Sequence, residues 1–240
     1  MTLRSASAVG ERRSRFRARQ DRIRDPSLTV LLILELSYMF AAAPLAAKGV
    51  PFAWAVGETL VLAVLVIVVL LSHRRGAFLI ILLGAAGTLA GLAPALDWPT
   101  GSLALGRGGN ILMFSALTWV VAHSVYAPGR ITSHRLQGAV VVYLNIAAIF
   151  ASAYRLIWEF APGAFAGPSA PTGGPSELAA ALYFSFTTLT TTGYGDIVPL
   201  DPFARSLANL EAVIGQFYLA ITVARLVTLE LASRHRGLSE

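Results

Sequence analysis

Residues 187–199 read TTLTTTGYGDIVP: hydroxyls, one phenol, one carboxylate and two glycines in a chain that is otherwise mostly apolar. A surface loop would account for the polarity. A sharper reading makes the backbone itself the ligand. Gly193 and Gly195 reach backbone angles closed to other residues. Alternating ordinary and left-handed conformations would aim successive carbonyls to one side, and Thr191 would add a hydroxyl below them. An array of such oxygens suits a cation. One chain supplies one wall, so a ring of identical chains must complete the site.

The flanking residues predict how this run is held. ELAAALYFSFTTL, residues 177–189, has a helical pattern with Ser176 as N-cap and Pro175 beside it. It is too short to cross a membrane, and apolar stretches of about 10–14 residues are often re-entrant. APGAFAGPSAPTGGPS before it predicts an irregular extracellular turret. Irregular backbone at membrane depth is tolerated only when buried in protein or lining a water-filled cavity. The partly negative C-terminal end of the short helix would favour a cation in that cavity.

Composition agrees with a membrane setting. The 240 residues are 55% hydrophobic and 13% charged, half the roughly 25% charge of soluble domains. There is no cysteine, hence no disulfide framework. The formal charge is +6, but the cations sit at the N-terminus and between apolar runs, which argues against a nucleic-acid partner. Six spans are predicted: Pro26–Leu45, Phe52–Leu71, Ala77–Ala93, Asn110–Tyr126, Leu136–Trp158 and Pro202–Ala232. With both termini cytoplasmic, segments 1–25, 72–76, 127–135 and 233–240 hold fourteen arginines, against Lys48 and Arg107 outside. The predicted protein is therefore a multi-pass inner (cell) membrane protein. Its basic N-terminal tail is uncleaved and enforces topology, with anionic lipid as a candidate contact.

TTTGYGD at residues 190–196 resembles the selectivity filter of potassium channels, in which rings of backbone carbonyls replace an ion's hydration shell. The resemblance covers residues 136–232. It implies that the Thr191 hydroxyl and the carbonyls of Thr191, Thr192, Gly193, Tyr194 and Gly195 coordinate potassium. Thr192 departs mildly from the family's usual valine or isoleucine. Asp196 matches the family's aspartate outside the filter, Tyr194 would turn its ring toward the pore helix, and Tyr183 and Phe184 would pack as an aromatic cuff. Thr187 stands where some members carry a glutamate, so a carboxylate pair with Asp196 is not expected. Gly215, twenty residues after Gly195, is placed either as a gating bend or as a small residue for close packing. Glu211, one turn earlier, would either brace the filter from behind or face the cavity. Arg225 would snorkel to the interface.

The expected fold is an all-α integral membrane protein, six transmembrane helices with a re-entrant pore helix and filter between helices five and six. Its parts are a basic cytoplasmic tail (1–25), a four-helix peripheral domain (26–126), a cytoplasmic linker (127–135), a pore domain (136–232) and a short cytoplasmic tail (233–240). The fourth span holds no arginine or lysine, so a conventional voltage sensor is not expected. Four residues follow Arg236, which leaves gating to the pore, the membrane, a partner or the tails. Glu35, near mid-membrane, is expected either to hydrogen-bond with Asn110 or Ser115 or to serve as a proton or ligand site. His73, His123, His134 and His235 read as interface or loop residues. The function expected is a homotetrameric potassium channel, passive and not an enzyme, with no cofactor beyond potassium ions in the filter. The alternatives are a non-conducting accessory or signalling membrane protein and a potassium-transporter component. A single GYG and no internal repeat speak against the transporter.

Overall fold

Long apolar runs dictate helices, and helices dominate the computed structural model. It describes residues 29–50, 82, 84, 86, 102–126, 133–167, 169–170 and 176–237. The first helix, α1 (Thr29–Ala47), widens into a π-helical turn at Tyr38–Ala42. Pro44 explains the turn: it has no N–H to return to Phe40, and the ladder adjusts just ahead of it, with the Ala43 N–H reaching back to the Tyr38 carbonyl. Gly49, at φ +73°, closes the helix as its N–H bonds to the Ala46 carbonyl and that of Val50 to Leu45.

Helix α2 (Ser102–Val125) packs along α3 (Ser133–Phe160). Strand β1 (Phe165–Ala166) follows, then α4 (Ser176–Leu189), strand β2 (Val198–Pro199) and α5 (Pro202–Gly237). Asp201 caps α5 by accepting from the N–H groups of Phe203 and Ala204, with Pro202 at the first helical position. Helix α3 packs against α2, α4 and α5. Its fully buried small residues Ala147, Ala148 and Ala151 allow close approach of neighbours. One apolar cluster, including Leu31, Met113, Leu117 and Val141, joins α1, α2 and α3. A second, around Tyr154, Phe165 and Phe184, joins α3, β1 and α4 through edge-to-face rings 4.8–5.7 Å apart. Helix α4 lies on α3 and α5 and also meets the end of α1, where Phe40 and Phe186 stack 5.1 Å apart.

Among the described residues three helices, Thr29–Ala47, Arg135–Phe160 and Pro202–Arg225, are long and apolar enough to cross a membrane. The expected second span lies outside the described residues, and of the third only Leu82, Gly84 and Ala86 are described, all helical. The expected fourth falls within α2, which is not among the three and begins earlier than expected. Helix runs on through the glycine-rich GRGGN of residues 106–110, and Arg107 lies buried within it instead of in an outer connection. The fold is also not purely helical. The segment before α4 and the one after the TTTGYGD run lie side by side and pair antiparallel, Phe165 with Pro199 and Ala166 with Val198, which satisfies backbone groups of both loops. Residues 133–135, expected in the linker, are already helical, and α5 continues through Gly237 into the expected tail. The basic segment 1–25 lies outside the described residues.

Candidate functional site

Helix α4 ends at Leu189, and its last carbonyls organise the chain beyond. The Thr187 carbonyl accepts from the N–H groups of both Thr192 (2.8 Å) and Gly193 (3.1 Å), and the Thr188 carbonyl from Thr191 (2.9 Å). In a trans peptide the C=O points opposite the N–H. Tying these N–H groups back to α4 therefore turns the carbonyls of Thr190, Thr191 and Thr192 away from it. Thr191, Gly193 and Gly195 have φ of 58°, 55° and 78°, a left-handed residue at every second position. The glycines accept this readily. Thr191 is β-branched and does not, at a cost of about 1–3 kcal/mol that the surrounding bonds must hold. The Thr190 and Thr192 hydroxyls meet at 2.9 Å, and Gln216 of α5 donates to the Thr191 hydroxyl at 3.3 Å.

Outside this run, the Tyr183 hydroxyl donates to Asp196 Oδ2 at 2.8 Å. The Tyr194 ring, 71% exposed, lies parallel to that of Tyr183 with centroids 6.2 Å apart. Desolvation pushes the Asp196 carboxyl up. Hydrogen bonds from Tyr183, Ser169 and the backbone N–H groups of Asp196 and Ile197 outweigh it and hold the group below its ordinary value. Thr187 bonds through its hydroxyl to the Phe184 carbonyl, and Phe184 is buried among Tyr154 and Phe165.

Behind α4 the structure places Glu211, completely buried, between three helices. Tyr154 of α3 donates to Glu211 Oε2 at 2.6 Å, and Ser185 of α4 bonds to Oε1 and lies 2.8 Å from the Ala147 carbonyl. Gly215 touches the end of α4: a Cβ there would stand 2.2 Å from the Leu189 carbonyl oxygen. Around it α5 is an unbroken helix, so this conformation uses Gly215 for close approach. Arg225 reaches protein: it donates to the Tyr126 carbonyl and lies 5.1 Å over the Tyr126 ring. Glu35 is 2% exposed, and neither carboxylate oxygen has a hydrogen-bond partner among the described residues, so the expected bond to Asn110 or Ser115 is absent.

Ser185, Tyr154 and Gln216 were not singled out from the sequence. Gln216 carried a signal, an amide in an apolar helix beside Gly215. Ser185 and Tyr154 sit in helices with several similar hydroxyls and carried none.

A family model described as an ion channel matches residues 139–230, which contain all of this geometry. A potassium voltage-gated channel protein of Caenorhabditis elegans, shk-1, is 39% identical over 80 residues, covering 33% of this chain and 15% of that protein. The inward rectifier potassium channel Kirbac3.1 of Paramagnetospirillum magnetotacticum is 32% identical over 83 residues, covering 35% of this chain and 25% of the relative. Over this region the chain is similar to potassium channels. The chain spans a quarter or less of the length of these curated relatives. No solved structure matches it significantly. The matched channel region comprises most of α3, all of α4 and most of α5, and with its apolar helices the chain is a membrane protein.

Proposed function

We propose that the chain is one subunit of a homotetrameric, potassium-selective channel that conducts passively across the cell membrane. Helix α4 acts as a re-entrant pore helix and α5 as the inner helix. Thr191, Thr192, Gly193, Tyr194 and Gly195 coordinate dehydrated potassium through their carbonyls and the Thr191 hydroxyl. The observation that carries this reading is the left-handed residue at every second position, 191, 193 and 195. Together with the N–H groups tied back to α4, it leaves carbonyl oxygens for a ligand on the open side. One chain provides one such wall, and residues 190–195 are all exposed in the single subunit. Around a four-fold axis they would face one another. Asp196 and Tyr183 support the outer mouth and Glu211 the rear of the pore helix. Repeated span arginines of the kind that sense voltage are not found in α2, whose Arg107 is held by carboxylates.

The test is a reversal potential from purified protein in planar bilayers, with potassium on one side and sodium on the other. Reversal near the potassium equilibrium value is expected. Reversal near zero with sustained current would overturn selectivity and implicate Thr192.

A further inference from the structure

Helix α2 is anchored to the channel region of its own chain at both ends, by side chains of different chemistry. At one end Arg107 is 8% exposed. Its Nη1 donates to Glu159 Oε2 and to the Arg155 carbonyl, each at 2.6 Å, and its Nη2 pairs with Glu177 Oε1 at 2.7 Å. Arg155 Nε meets the same Glu177 oxygen at 3.1 Å. Two cations and two carboxylates balance, which a buried guanidinium requires. Glu177 lies in the first turn of α4, so Arg107 holds the start of the helix whose end positions residues 191–195.

At the other end Tyr126 follows α2 directly. Its hydroxyl lies 2.8 Å from that of Thr222, and its ring and carbonyl hold Arg225. Thr222 and Arg225 belong to the far half of α5. Nineteen residues separate Arg107 from Tyr126, about 28 Å of helix, close to the thickness of a bilayer core of about 30 Å.

We propose that α2 is a coupling strut, with Arg107 and Tyr126 as positioning residues that join the start of α4 to the far half of α5. A rigid helix clamped at both ends makes the filter end and the opposite end of the pore shift together. The planar guanidinium fork is suited to the outer clamp because it bridges two carboxylates and a carbonyl, which a lysine ammonium does less well. The physiological role of the strut rests on the pore reading above; its existence does not.

The test has two arms. In the first, hydrogen–deuterium exchange is compared between wild type and Arg107→Gln in the solubilised full chain. The strut predicts exchange around Thr222 and Arg225 faster by at least about threefold, although the change is at the other end of α2. Faster exchange confined to the neighbourhood of Glu159 and Glu177 would overturn the proposal, since a local staple does only that. Glu177→Gln, which removes the carboxylate shared by Arg107 and Arg155 and spares the Arg107–Glu159 pair, serves if Arg107→Gln does not fold, and Arg107→Lys is expected to fall between wild type and Gln. The second arm is a double-mutant cycle of Arg107→Gln with Thr222→Val, read as single-channel open probability. Non-additivity of at least about threefold in the open–closed equilibrium is expected, and additivity would overturn the strut. If wild type carries no selective current, the pore reading fails while the exchange arm still decides the strut.

Discussion

Among the described residues two carboxylates, Glu35 and Glu211, are buried in apolar helices, and their surroundings differ. Glu211 in α5 is met by hydroxyls from α3 and α4, so that it links three helices behind the candidate filter. Glu35 in α1 lies against an apolar cluster with both oxygens unpartnered among the described residues. The same side chain is an organising contact in the channel region and, among the described residues, an unpartnered one in α1.

The largest expected contrast lies in the backbone. Gly193 and Gly49 are both left-handed, and a Cβ on either meets nothing within 4 Å in the single chain. Each alanine should cost about 1–2 kcal/mol of backbone strain. In Gly193→Ala that strain falls on the carbonyl array, and potassium-selective current should be lost. Gly49→Ala should keep the current and show only a lowered unfolding temperature. Full selective current from Gly193→Ala would break the assignment of the filter.

The carboxylates come next. Glu211→Leu strands the Tyr154 hydroxyl, at a cost of about 1–3 kcal/mol for an unsatisfied buried group, and also unties α5 from α4. Glu35→Leu removes two oxygens that have no partner among the described residues and should be neutral or stabilising by up to about 3 kcal/mol. Thermal unfolding of the solubilised protein reads both, and equal destabilisation by the two changes would erase the contrast.

The smallest effect belongs to the exposed outer mouth. Tyr183→Phe removes one bond to Asp196 and should lower thermal stability only slightly. The folded Asp196 value lies below its unfolded one, so its contribution is present above the ordinary value of 3.8 and is lost as pH falls through the folded one. Stability of wild type should accordingly fall on acidification below that range, and Tyr183→Phe should narrow the gap between the two values. An unchanged acid profile in the variant would show that the Tyr183 bond contributes nothing to the depression.

The parts of this molecule legible in its sequence are those with a local cause. Gly193 and Gly195 accept left-handed angles without outside help, the helical pattern of α4 ends at Leu189, and Asp201–Pro202 sets where α5 begins. What escaped depends on partners distant in the chain. Helical structure through GRGGN contradicts the local preference of three glycines and is supported by Arg107 pairing with residues 52 and 70 positions later. Gly215 could be read as a bend or a close contact until the Leu189 carbonyl was seen against it. The strand pair needed two loops that flank α4 to meet, and neither shows a strand pattern of its own.

The Arg107 cluster also has a consequence for synthesis. Arg107 leaves the ribosome 70 residues ahead of Glu177, an interval of roughly 4–14 s at about 5–20 residues per second. Throughout it, the guanidinium lacks the carboxylate that later holds it against α4. The nascent α2 must wait beside the translocation machinery or keep Arg107 in water until the channel region is made. Assembly order is thereby written into the chain: α2 completes its contact with α4 only after α4 has been built.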